Sequence, residues 1–152
     1  MSEQTCSFDV VPRVVVFDRT YREVIDLLER ARALAAAPRN TAGGRPRAVT
    51  GIDPSAMVRL EASCEALRVT SRLTHCLAWV LVHKAIHAGE LAPDAAYDPE
   101  NRLSGGSVCL AMGGEANPRL PARLRSLLFD SRSLYVRLAR LDARMSAAGA
   151  RA

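Results

Sequence analysis

The sequence predicts an all-α domain, a three-helix bundle with long second and third helices. Three observations lead there. Apolar residues make up 49% of the 152-residue chain but aromatics only 5%, so the apolar content is mostly aliphatic and alanine. That composition suits helices packed on helices better than a sheet rich in β-branched and aromatic residues. No proline or glycine interrupts Ser55 to Ala88 or Ala122 to Ala148. In both stretches apolar residues recur at alternating steps of three and four, the spacing of a packed helical face. At this length one core, and so one domain, is expected.

The chain opens with "SFDVVPRVVVF". Pro12 inside this Val-rich run argues against a central strand, and residues 1–16 read as an extended arm along the bundle. The first helix is expected over about 20–37. Thr20 and Glu23 stand at capping-box spacing, Tyr21, Val24, Leu27, Leu28, Ala31 and Leu34 share a face, and Pro38 ends it. Asn40 to Ile52, with Gly43, Gly44, Pro46 and Gly51, reads as a loop.

Asp53 then offers an N-cap and Pro54 a favoured first residue for a second helix over about 54–88, roughly 50 Å long at about 1.5 Å per residue. One row on it, Met57, Leu60, Cys64, Leu67, Ser71, Thr74, Ala78, Leu81 and Ala85, has heptad spacing and small residues at its centre. A second, Val69, Leu73, Leu77 and Val80, runs beside it, and Trp79 and Val82 extend it around the helix. A helix apolar on so many sides is expected to be buried on several of them, by the bundle and by a second copy of the protein.

Residues 92–118 contain Pro93, Pro99, two Gly-Gly pairs and Pro118, with only "VCLAM" apolar between them. An irregular connection is expected, either without fixed structure or with Val108 to Met112 folded back on the bundle or on a partner. The third helix is expected over about 121–148, started by Pro121 and ended by Gly149, with 149–152 as a short tail. Leu124, Leu127, Ser131, Leu134, Leu138, Leu141 and Met145 are spaced 3, 4, 3, 4, 3, 4, the seam of a left-handed bundle. This seam and the first row of the second helix are candidates to face each other.

Charge and motifs narrow the function. The net charge is +5, and all but one of the 21 basic residues are Arg, the exception being Lys84. They are spread over the chain without stacking aromatics, which points to a coding skew rather than a phosphate-binding surface. Arg137, Arg140 and Arg144, with Arg123 and Arg132 further back, do form an outward stripe on the third helix. This leaves a DNA-associated regulator as the alternative class.

The cysteines Cys6, Cys64, Cys76 and Cys109 contain no C-x-x-C, and no secretory leader pattern opens the chain, so reduced thiols and a cytoplasmic location are expected. The longest apolar run, Leu73 to Val82, is about half the roughly 20 residues a membrane span needs, so no membrane is expected. His83 and His87 are four apart, the spacing at which a helix can supply two metal ligands, but Lys84 stands where an H-E-x-x-H motif has glutamate. They read as solvated polar residues. Glu61 and Glu65 read as a solvated pair near Arg68. With no nucleophile elbow or phosphate loop, no catalytic residue, metal or cofactor is expected.

Two segments carry a resemblance. "LRVTSRLTHCLAWVLVHKAIHAGEL", followed by "RLPARLRSLLFDSRSLYVRLARLDARM", resembles the regulator of CtrA degradation family of alphaproteobacteria. In that family a helix that opens R-L-T-x-R-L, continues through an A-W pair and closes on G-E precedes an L-P-x-x-L helix. Thr70, Arg72, Leu73, Ala78, Trp79, Leu81, Ala85, Gly89 and Glu90 fall on the first pattern, and Leu120, Pro121, Leu124, Ser131, Leu134, Arg137 and Leu141 on the second.

The resemblance implies a dimeric three-helix bundle that acts as a non-enzymatic adaptor. Its implied partners are the ClpX component of the ClpXP protease, a single-domain response regulator that primes it, and cell-cycle regulator cargo. Arg68, Arg72, His75 and Trp79 are the expected partner-binding residues, because Trp and Arg are frequent interface anchors. Leu73, Leu77, Val80, Leu81, Leu124, Leu127, Leu134, Leu138 and Leu141 are expected to pack the bundle or the dimer.

Overall fold

The computed structural model describes residues 10–36 and 54–149. The loop expected at 40–52, the Asp53 cap, residues 1–9 of the expected arm and the tail beyond Gly149 lie outside the described residues. Among the described residues the chain is all-α, as the composition and periodicity predict. α1 spans Val10–Ala36, α2 Pro54–His87, the short α3 Gly106–Cys109 and α4 Ala122–Gly149. Two 3-10 turns, Pro93–Tyr97 and Pro99–Asn101, lie between α2 and α3. The three long helices pack on one another, with α2 against both α1 and α4.

α1 begins earlier than its sequence signals suggest. Pro12 is its third residue, where backbone amides have no intrahelical acceptor to lose, so proline continues the helix. The stretch from Val10 to Val16 is therefore helix and not an extended arm. Thr20, expected to cap, is buried inside the helix, where its Oγ1 donates back to the Val16 carbonyl at 2.8 Å. Phe17, Val24 and Leu27 form its core face.

α2 ends where glycine allows it. Gly89 has φ +76°, the Glu90 N–H donates to the Ala85 carbonyl at 2.9 Å, and the Gly89 N–H donates to Ile86 at 3.1 Å, the two bonds of a Schellman cap. Its packing reverses the expected pairing of rows. The face turned to the bundle carries Val69, Leu73, Cys76 and Val80, together with Arg72, Trp79 and His83, all buried. The row expected to meet α4 lies on the opposite side of the helix. Met57, Leu60, Cys64, Leu67 and Leu81 are exposed there, Leu67 to 69%.

On α4 the expected seam is the buried one. Leu124, Leu127, Ser131, Leu134 and Leu138 are buried, and Leu141 and Met145 pack half-buried against the core. The connection from α2 to α4 is not loose. Leu103 packs on the core, Cys109 and Leu120 are buried in it, and the Tyr135 hydroxyl donates to the Ser104 carbonyl at 2.8 Å. Two close approaches pin it to α2 and need the absence of a side chain. A Cβ on Gly105, whose φ is +83°, would stand 2.5 Å from the His75 ring, and one on Gly114 would stand 2.5 Å from the Glu65 carboxylate.

Candidate functional site

The four expected partner-binding residues sit at steps of 4, 3 and 4 along α2, so one side of the helix carries them all. That side is the one the 102–115 segment covers. The expected surface patch is therefore corrected. Arg72 is 0% exposed and Trp79 is buried, while Arg68 and His75 are half-covered. Each has a partner within the chain. Arg68 Nη1 donates to Glu65 Oε1 at 2.6 Å, and His75 Nδ1 shares a hydrogen bond with the Ser104 hydroxyl at 3.0 Å.

Arg72 is a buried cation with a fully assigned fork. Its Nε donates to the Cys109 carbonyl, Nη1 to the Leu128 carbonyl and Nη2 to the Ala111 carbonyl, all at 2.8 Å, and Nη2 also reaches Glu115 Oε1 at 3.2 Å. One side chain thus ties α2, α3, the strand of connection after it and α4. Burial lowers the Arg72 pKa, with Glu115 opposing the shift. A guanidinium remains charged under such a load because its intrinsic pKa is so high. Burial would raise the Glu115 carboxyl, but the amides of Glu115 and Gly113, together with Arg72, outweigh it and hold that carboxyl below its ordinary value.

A second buried polar junction closes the other end of the core. The Trp79 Nε1–H donates to Asp142 Oδ1 at 2.9 Å. Arg102 grips the same carboxylate, with Nε 3.0 and 2.9 Å from its two oxygens and Nη2 2.8 Å from Oδ2. Burial would raise Asp142, yet the hydrogen bonds from Arg102 and Trp79 keep it below the usual carboxylate range.

Around the indole, Phe17 lies 5.7 Å away by ring centroids and His83 4.1 Å, and the His83 ring stacks on Phe17 at 5.0 Å. His83 is buried, and not solvated as expected. Burial lowers its pKa to about 4, against the pull of Asp142 and with a further push from His87. Among the described residues no group of three His, Cys, Asp or Glu side chains is placed to hold a metal ion. The Cys76 thiol is pushed up to about 12 by burial and then by the neighbouring Cys109, so it is a packing group rather than a nucleophile.

The groups that face solvent include apolar and basic side chains. Of the expected packing residues, Leu73, Val80, Leu124, Leu127, Leu134 and Leu138 are buried, Leu77 and Leu141 are half-buried, and Leu81 is exposed with the outer row of α2. A second exposed set comprises Val108, Leu110 and Met112 of the connection, the apolar stretch expected to fold back on the bundle or on a partner, and Phe129 of α4, which lines a groove with Met112 and was not singled out. Phe129 stands among arginines and serines, and its exposure follows only from its place between the buried positions Leu128 and Ser131.

The Arg stripe of α4 is not continuous. Arg137 is ion-paired with Glu23 of α1, while Arg132 and Arg140 have no carboxylate within ion-pair distance among the described residues. No helix among the described residues is long and apolar enough to cross a membrane.

Fold and site together define a class, a three-helix bundle locked by two buried polar junctions and carrying apolar side chains on its outer faces. The chain belongs to the family described as "Protein of unknown function (DUF1465)", whose model matches residues 11–152. The crystal structure of RcdA, the regulator of CtrA degradation, from Caulobacter crescentus CB15 is similar, with 32% sequence identity and a TM-score of 0.57. The match covers 85% of this chain and 89% of that one. No curated protein sequence matches.

Proposed function

We propose that this chain is a non-enzymatic cytoplasmic adaptor in regulated proteolysis. It binds cell-cycle regulatory proteins and promotes their degradation by the ClpXP protease, primed by a single-domain response regulator. The observation that carries this reading is the 32% identity to RcdA over 85% of the chain. The distribution of apolar side chains agrees with a protein that works by contact, since the outer row of α2 is turned away from the core.

That row also supports a homodimer. It keeps a heptad spacing over most of α2, and its centre carries Ser71, Thr74 and Ala78, small enough for two helices to approach closely.

The test is a reconstitution with purified ClpXP, the response regulator and a candidate cargo. The cargo should disappear faster when this chain is added, and ClpXP acting at the same rate with and without it across the cargoes tried would defeat the reading. Light scattering at micromolar concentration checks the homodimer, for which a monomer mass is the adverse result.

A further inference from the structure

We infer that the groove between α4 and the segment 110–115 binds an extended acidic segment of a partner protein, anchored by one apolar side chain. The inference rests on the adaptor reading for what the groove serves, but its chemistry comes from the groove itself. The groove encloses about 530 Å³. One wall is a helical row at steps of 3, 4 and 4, Phe129, Arg132, Val136 and Arg140, and the other is Met112.

Phe129 is 66% exposed and Met112 72%, so an aromatic face and a flexible thioether stand open to solvent side by side. Such a pair receives varied apolar side chains with little reorganisation. The Met112 wall is held in place from behind, because Arg72 binds the Ala111 carbonyl and Glu115 accepts from the Gly113 N–H at 3.2 Å.

The charges select the occupant. Arg132 and Arg140 lack carboxylate partners among the described residues, and the Arg132 Nε is buried without a hydrogen-bond acceptor. Arg140 is exposed and Arg132 half-buried, so a partner's carboxylates can reach these guanidinium groups, which bind carboxylates through two parallel bonds. The two arginines are eight residues apart, about 12 Å along the helix at 1.5 Å per residue. An extended chain covers that span in about four residues. The matching segment therefore has two acidic residues about four apart with an apolar one between them. A nucleic-acid backbone fits less well, because it carries no apolar side chain to lie against Phe129 and Met112.

The full-length chain is titrated into a fluorescein-labelled peptide with two glutamates four residues apart and a central leucine, and anisotropy is read. A peptide with lysines in place of the glutamates is the control. The expected result is saturable binding of the acidic peptide alone, weakened about tenfold or more by Phe129→Ala and by Arg140→Glu. Arg32→Glu on α1, which changes the net charge equally but lies outside the groove, leaves binding within about twofold.

Equal affinity in all variants overturns the inference, as does equal binding of both peptides. Duplex DNA that binds through Arg140 while the acidic peptide does not also overturns it, in favour of nucleic acid. Because the peptide is measured without protease, the two proposals fail separately. A chain that speeds cargo loss but ignores the peptide defeats the groove alone, and one that binds the peptide but leaves degradation unchanged keeps the groove and defeats the adaptor reading.

Discussion

The two faces of α2 have nearly the same sequence grammar and opposite surroundings. Both repeat apolar residues at steps of three and four. One, with Val69, Leu73, Cys76 and Val80, disappears into the core, while the other, with Met57, Leu60, Leu67 and Leu81, faces solvent. Hydrophobicity does not separate them, since the exposed row has more large aliphatics in its first half. Their polar members do. The buried face holds Arg72, Trp79 and His83, and for Arg72 and Trp79 the chain supplies acceptors from α3, the connection and α4. A helix can place a guanidinium and an indole N–H inside only where those acceptors converge, because an unmatched buried donor costs more than an exposed leucine. In α2 the needs of a few polar groups decide which apolar row is inside.

Breaking the buried face should have the largest effect. Arg72→Met removes the cation that three carbonyls and Glu115 share, and it should destabilise the fold by about 3–5 kcal/mol in a denaturant titration. A loss below about 1 kcal/mol would mean that the connection holds itself in place.

Acidification probes the same face more gently. His83 has a folded-state pKa of about 4, below its ordinary 6.5. The unfolded chain therefore takes up this proton first as pH falls. The stability contributed by neutral His83 is complete above about pH 6.5 and is lost progressively down to about pH 4, a change on the order of 3 kcal/mol. His83→Phe should flatten the stability profile between those limits, and an unchanged slope would contradict the burial of this ring.

Trp79→Phe keeps the ring against Phe17 but removes the indole N–H from Asp142, and should cost about 2 kcal/mol by the same titration. Arg102 still holds the carboxylate in that variant. The outer row sharpens the contrast from the other side. Leu67→Ser should leave the stability of the isolated chain within about 0.5 kcal/mol. If α2 pairs with a second copy, the same change should lower the mass seen by light scattering. A destabilisation comparable to that of Arg72→Met would show the two faces to be equivalent after all.

Legibility in the sequence followed how local the deciding interaction was. The α4 seam was readable because a single apolar row there had no competitor, and the end of α2 was readable because Gly89 supplies the left-handed turn itself. The start of α1 was misread because Thr20 and Glu23 match a cap, yet the Thr20 hydroxyl satisfies itself on Val16 within the helix. The candidate site was less legible. Arg72 and Trp79 stood out as residues that matter, but they were placed on the surface, since nothing near them in sequence announces their acceptors. Those acceptors lie 37 to 63 positions away. Of the Phe129 and Met112 groove only one wall had a signal, the apolar stretch Val108 to Met112, and nothing marked Phe129 as the other, because the two segments have unrelated patterns.

The sequence alone determined the helical class and the extents of α2 and α4, because periodicity, proline and glycine act over a few residues and need no distant partner. Only the tertiary structure decided which face of α2 turns inward, that the connection closes over it, and which apolar side chains remain outside. Those outcomes depend on hydrogen bonds and packing between segments far apart in the chain, where geometry rather than local pattern sets the free energy.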